Sequence, residues 1–153
     1  MQSEKMAAFI NELLDNHPPI RSRFGLQLVL TQPGHGCLVV EELTPIIQMR
    51  VAYVFFDRDG LPKCEPELLF WVGEGQWIPF SIRRTTTGCQ VYGELNALTG
   101  EFSICHEQGQ AALVKYTDWF AQGLHSQGWI ENAYEVPDGD GLTTTFTVGE
   151  SMI

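Results

Sequence analysis

Charged residues are scarce in this sequence, and basic residues almost disappear from its second half. Asp, Glu, Lys and Arg make up 18% of the 153 residues, against roughly 25% in typical soluble domains. The net charge is −10, and beyond Arg84 the only basic residue is Lys115. Direct binding to nucleic acid is therefore disfavoured, because it requires cations that displace counterions from phosphates. With so little charge and many aromatics, the sequence predicts a homodimer that hides apolar surface.

The sequence also lacks a long apolar run and a closely spaced pair of cysteines. The longest apolar stretches, residues 51–56 and 68–72, fall far short of the roughly 20 residues of a helical membrane span. The first residues lead into an amphipathic pattern and not into the apolar core of a secretion signal. The cysteines are widely and unevenly spaced: Cys37, Cys64, Cys89 and Cys105. Such spacing is typical of free thiols, and we predict a cytoplasmic protein.

Motifs that would hold a metal or a cofactor are incomplete. The Asp-Gly turns at residues 57–60 and 138–141 lack the opening acidic ligand and the closing glutamate of a calcium loop. None of the glycine pairs continues into a nucleotide-binding fingerprint. The sequence therefore predicts no cofactor, no metal and no catalytic residue.

One constellation keeps an enzymatic alternative open, a thiol- or metal-dependent hydrolase. Cys105, His106 and Glu107 place a thiol, an imidazole and a carboxylate side by side. Neighbours on a strand point to opposite faces, so their adjacency argues against a nucleophile–base pair.

Hydrophobic periodicity predicts an α+β fold. A first helix is expected to start after Ser3 and to end before Pro18, and a second to start near Gln108 and to end at Gly128. The short alternating segments between them indicate an antiparallel meander. We expect a sheet of about five to seven strands with the N-terminal and the C-terminal helix packed on one face.

One domain is predicted over residues 1–153, with residues 131–153 as an appended tail that carries an edge strand. Residues 20–24 are expected to add one short helical turn. The predicted core consists of Phe9, Leu13, Leu28, Val54, Phe56, Leu69, Trp71, Phe80, Tyr116 and Phe120.

Three segments in the middle of the chain carry a family resemblance: VFFDRDG at residues 54–60, EPELLF at 65–70 and WIPF at 77–80. With a helix ending in QGW at residues 127–129, they resemble an uncharacterised bacterial domain family found on phages, plasmids and integrative elements. The resemblance covers roughly residues 48–130, and the tail from Glu131 departs from it. It implies a small α+β domain without an established activity, cofactor or catalytic residue.

These observations predict a non-enzymatic protein-binding module. The acids dense in one short segment, Glu131, Glu135, Asp138 and Asp140, are predicted to occupy a basic groove built for phosphates. Since mobile elements carry many small acidic inhibitors, we expect an inhibitor of host nucleic-acid-handling or defence machinery, of the anti-CRISPR or anti-restriction type. An aromatic surface around Trp71, Trp77 and Trp129 is the second predicted contact region.

Overall fold

The computed structural model describes residues 1–22, 25–44, 48–96 and 98–136, in which there are two helices and ten strands. The helices are α1 (Glu4–Asn16) and α2 (Glu107–Ser126). The strands are β1 (Ile20–Ser22), β2 (Gly25–Thr31), β3 (Cys37–Thr44), β4 (Gln48–Phe56), β5 (Pro62–Gly73), β6 (Gln76–Arg84), β7 (Gly88–Val91), β8 (Gly93–Leu95), β9 (Phe102–Ile104) and β10 (Tyr134–Glu135).

An antiparallel meander dominates the fold, as predicted. Strands β1 to β7 lie in the sheet in chain order, β10 pairs with β2, and β8 and β9 form a separate hairpin. The main sheet therefore has eight strands, one more than the upper predicted number. The expected helical turn after Pro19 is wrong, because Ile20 and Arg21 pair with Gln27 and Leu26 of β2. This pairing satisfies backbone groups that an edge of β2 would otherwise leave open.

Helix α1 begins and ends where the sequence predicts. The Ser3 hydroxyl accepts a hydrogen bond from the Met6 amide and donates one to Asp118 of α2, at 2.6 Å. One side chain thus caps the first helix and joins it to the second. The helix ends at Asn16, with His17 as its C-cap just before Pro18, which lacks an amide to continue it.

Helix α2 buries a different face from the one that the predicted core residues Tyr116 and Phe120 imply. Its buried residues are Gln110, Leu113, Val114, Thr117, Ala121 and Leu124. Thr117 donates to the Leu113 carbonyl, and Gln110 donates to the Met1 and Pro79 carbonyls, so both polar residues are satisfied inside. Tyr116 and Phe120, predicted to lie in the core, are only partly buried as a result.

Two hydrophobic clusters lie in the fold. The larger one combines side chains of both helices with side chains of the sheet, including Phe9 of α1 and Leu124 of α2. The smaller one consists of Val29, Val39, Ala52 and Val54, with Cys37 and Cys64 beside it. Alternate residues of a strand face opposite sides, so Val39 of the smaller cluster lies between Leu38 and Val40 of the larger.

The predicted core is confirmed in part. Phe9, Leu13, Leu28, Val54 and Phe80 are buried. Phe56 is 53% exposed, because it ends β4 at the Asp57 turn, and Leu69 and Trp71 are partly buried. In the described part of the chain, neither helix is long and apolar enough to span a bilayer.

Candidate protein-interaction site

The predicted acidic surface is only partly within the described residues. Glu131 is exposed, whereas the Glu135 carboxylate lies 3.4 Å from Nδ1 of His17. The other ring nitrogen of His17 lies 2.8 Å from the Ile130 carbonyl oxygen. Asp138, Asp140 and the expected edge strand of the tail lie outside the described residues. Binding through these acids stays a prediction.

The three predicted tryptophans do not form one exposed surface. Trp129 is fully buried, with its ring edge-on to Tyr53, and Trp77 is 8% exposed against Phe70. Trp71 is partly buried and stacks on Phe102 with 5.4 Å between the ring centroids. Trp77 and Trp129 therefore serve the core and offer little area to a partner.

The Cys105–His106–Glu107 segment has a structural role at the start of α2. His106 is the N-cap of the helix, and its Nδ1 accepts a hydrogen bond from the Gly109 amide at 2.9 Å. Within the described part of the chain, no hydrogen bond joins the Cys105 thiol to this ring. The geometry thus gives the hydrolase alternative no support.

The half-buried thiols Cys37 and Cys64 give no support to thiol or metal chemistry either. Burial raises the pKa of the Cys37 and Cys64 thiols, which keeps them in the poorly nucleophilic protonated form. Among the residues that the structure describes, no three His, Cys, Asp or Glu side chains stand together as metal ligands would.

Strand β7 is the outermost strand on one side of the main sheet. It pairs with β6, and in the described part of the chain no strand lies on its other side. All four of its residues are exposed: Gly88, Cys89, Gln90 and Val91. Charged residues and prolines usually keep a sheet edge from pairing with another strand, and β7 contains neither.

The ladder between β6 and β7 determines which backbone groups of β7 point outward. The Tyr92 amide donates to the Phe80 carbonyl at 2.7 Å, and the register places Gln90 opposite Ile82. Hydrogen-bonded and non-hydrogen-bonded pairs alternate in an antiparallel ladder. Gln90 therefore bonds inward to Ile82, while the N–H and C=O groups of Cys89 and Val91 point away from β6.

A groove lies between this edge and helix α2, and we call it the edge groove. It encloses about 270 Å³ and is lined by Ile82, Arg84, Thr87, Gln90, Tyr92, Gly109, Ala112, Leu113 and Tyr116. Gly109 permits the close approach, since a Cβ there would lie 2.3 Å from the Tyr92 ring. The lining is mostly apolar with a few polar groups, as is usual where proteins bind ligands.

Tyr116, which lines the edge groove, is in contact with two further aromatic side chains of α2. We call the three the aromatic row: Tyr116, Trp119 and Phe120. The Tyr116 ring lies 5.7 Å from the Trp119 ring and 6.4 Å from the Phe120 ring, centroid to centroid. Trp119 is 66% exposed. An indole with this exposure next to a groove is a typical anchor for a protein partner.

Arg84 is a charged residue in the lining of the edge groove, and it forms an ion pair with Glu65. Its Nε lies 2.5 Å from the Glu65 carboxylate, and its guanidinium carbon lies 5.4 Å from the centre of the Tyr116 ring. The hydrogen bond to Glu65 raises the pKa of Arg84, and burial raises the pKa of Tyr116. The groove thus combines an apolar floor with a fixed, neutralised ion pair.

A larger concavity of about 860 Å³ lies on the β8–β9 hairpin and is a weaker candidate. It is lined by Glu94, Leu95, Asn96, Glu101, Phe102 and Ser103. Among the described residues that line it, Glu94 and Glu101 carry like charges and none is a cation. We therefore place the candidate site at the edge groove.

No protein-family model matches this chain, and no curated protein and no solved structure matches it either. The resemblance of residues 48–130 to a bacterial domain family therefore rests on its motifs alone.

Proposed function

We propose that this protein is a protein-binding module that takes up an extended segment of a partner as an added strand on β7. The outward N–H and C=O groups of Cys89 and Val91 would pair with the backbone of that segment. An apolar side chain of the segment would enter the edge groove beside Gln90. Strand addition between an exposed sheet edge and a helix is an established way of binding peptides.

The observation that carries this proposal is the coincidence of three features at one edge. No strand of the described residues pairs with the outer backbone groups of β7, a mostly apolar groove lies directly beside them, and an exposed indole stands on the adjoining helix. The proposal includes the predicted placement of both helices on one face of the sheet, which their shared cluster supports. It leaves the identity of the partner open, and an inhibitor of nucleic-acid-handling machinery remains the expectation from charge and resemblance.

A cytoplasmic location is part of the same proposal. All four cysteines are free, and Cys89 and Cys105 are exposed. Exposed thiols persist in a reducing compartment and become oxidised outside it.

The test is Val91→Pro, which should abolish peptide binding with little loss of stability. Proline removes the outward amide of residue 91 and puts ring carbons where a partner carbonyl would lie. The ladder to β6 keeps its hydrogen bonds, because Val91 and Ser81 form a non-hydrogen-bonded pair. Binders selected from a displayed library of short random peptides should lose at least about tenfold in affinity, or about 1.4 kcal/mol.

Two further variants serve as controls for this experiment. Val91→Thr keeps the amide and a branched side chain, so it should bind the selected peptides like the parent. Gln90→Pro removes the inward amide, so it should lower the free energy of unfolding by roughly 1–3 kcal/mol. The proposal fails if the library yields no binder, or if the selected peptides bind Val91→Pro as tightly as the parent.

A further inference from the structure

We infer that a second copy of the chain closes the β7 edge of the free protein, with the two β7 strands antiparallel across a two-fold axis at Gln90. This inference rests on the proposed function, because self-association would regulate the binding of a partner segment at that same edge. A partner segment and the second copy would compete for the same backbone groups.

The first argument is that the residues of β7 itself supply no device that would prevent pairing with a second β7 strand. Lysines, prolines, bulges or inward charges usually protect sheet edges. Strand β7 contains only glycine, cysteine, glutamine and valine, so two copies meet without like-charge repulsion. The two arginines opposite β7 in the ladder, Arg83 across from Cys89 and Arg84 across from Gly88, are paired with Glu67 and Glu65 within each copy.

The second argument is the register that the outward groups select. A two-fold axis at Gln90 places Cys89 opposite Val91 of the partner subunit, and Val91 opposite Cys89 of the partner subunit. All outward N–H and C=O groups of both copies then exchange hydrogen bonds. With the axis at Cys89 or at Val91, only the residue on the axis would pair within β7. The other would lie opposite a residue outside the strand. The register at Gln90 is therefore the one that leaves no outward group of these residues open.

The third argument is the distance that such pairing would set between the two α2 helices. Helix α2 packs on β6, and at about 4.8 Å per strand three spacings would separate the two β6 strands, roughly 14 Å. Helices in direct contact pack about 8–10 Å apart, so large side chains have to fill the remaining gap. The aromatic row stands on the groove side of α2, and its exposed Trp119 has the size that this gap requires.

Cysteine cross-linking tests the register. In a Cys89→Ser, Cys105→Ser background, Gln90→Cys would put two thiols on a non-hydrogen-bonded pair with Cα atoms about 4.5 Å apart, within the range of a disulfide. Val91→Cys in the same background is the matched control, because residue 91 of one subunit and residue 91 of the other would be diagonal neighbours, roughly 7–8 Å apart. We expect Gln90→Cys to form an intermolecular disulfide on mild oxidation, and Val91→Cys and the background to remain uncross-linked. Equal cross-linking at both positions, or none at residue 90, would overturn the inference.

Sedimentation equilibrium at micromolar concentration tests the dimer itself. The parent should be dimeric and Val91→Pro monomeric, and Trp119→Ala should raise the dimer dissociation constant at least about tenfold. Leu98→Ala is the control, because Leu98 is 97% exposed on the β8–β9 hairpin, away from the edge groove. A parent that stays monomeric contradicts the dimer, while peptide binding that depends on the Val91 amide would still support the proposed function. A dimer with the expected cross-link but without any peptide binder contradicts the proposed function and leaves the dimer standing.

Discussion

Replacing Arg50 by methionine should lower the free energy of unfolding by about 3–5 kcal/mol. The Arg50 guanidinium lies 3.0 Å from the Glu41 carboxylate and 2.8 Å from the Glu67 carboxylate, and the Arg50 and Glu41 side chains are 6% and 0% exposed. Burial alone would favour loss of its proton, but Glu67 and Glu41 together raise the pKa of Arg50. Methionine fills a similar volume and removes the charge, so Glu41 stays buried without this cation.

Urea unfolding measures this loss, and a double variant shows its cause. In Glu41→Leu, Arg50→Met both buried charges are gone, and buried ion pairs replaced by apolar residues are often neutral for stability. Glu67 keeps its ion pair with Arg83, at 2.8 Å. The double variant should therefore recover most of the lost free energy of unfolding. The slope of that free energy against urea concentration should stay as in the parent. A single variant that loses less than about 1 kcal/mol would show that solvent or a neighbouring group compensates for the guanidinium.

This ion-pair network illustrates what the sequence could predict and what it could not. Alternation places residues 39, 41, 50 and 52 on the same side of their strands, but it does not give the register between strands. The register puts Glu41 directly opposite Arg50, and Glu67 directly opposite Arg83. Four charges that look solvated in the sequence thus become a network with a buried centre.

The meander was predictable because its information is local. Ser3 and Pro18 bound α1, and the glycines at turns between neighbouring strands have the positive φ that such turns require: Gly60 with φ +79° and Gly75 with φ +77°. The buried face of α2 was not predictable, because the acceptors of Gln110 lie at Met1 and Pro79, far away in the sequence. A pattern of apolar residues alone assigns Gln110 and Thr117 to the wrong face.

The candidate site was hidden for a related reason. Whether a strand is an edge depends on the order of all strands in the sheet, and β7 has no pattern of its own that marks it. Trp119 shows its exposure only after the face of α2 is known. Trp129 was predicted to be a contact residue and is buried instead. No hydrophobic periodicity extends past Gly128 that would indicate its place in the core.

Replacing Trp129 by alanine should lower the free energy of unfolding by about 3–5 kcal/mol, the usual cost of emptying a buried aromatic site. Gly128, with φ +83°, turns the chain after α2 so that the fully buried indole packs against Tyr53. For a chain of this size the melting temperature should fall by roughly 6–20 °C.

Two controls separate this core role from the partner contact that the sequence predicted for Trp129. Trp119→Ala removes an indole that is 66% exposed within one chain, so its cost in the monomeric Val91→Pro background should stay within about 0.5 kcal/mol. Trp129→Phe keeps an aromatic ring in the core and removes a buried indole N–H to which the described residues offer no hydrogen-bond acceptor, so it should be much milder than alanine. Thermal unfolding of the three variants distinguishes the two roles. If Trp129→Ala has the melting temperature of the parent and loses only partner binding, Trp129 is a contact residue and not a core residue. If Trp119→Ala loses partner binding at an unchanged melting temperature, the contact lies at the edge groove.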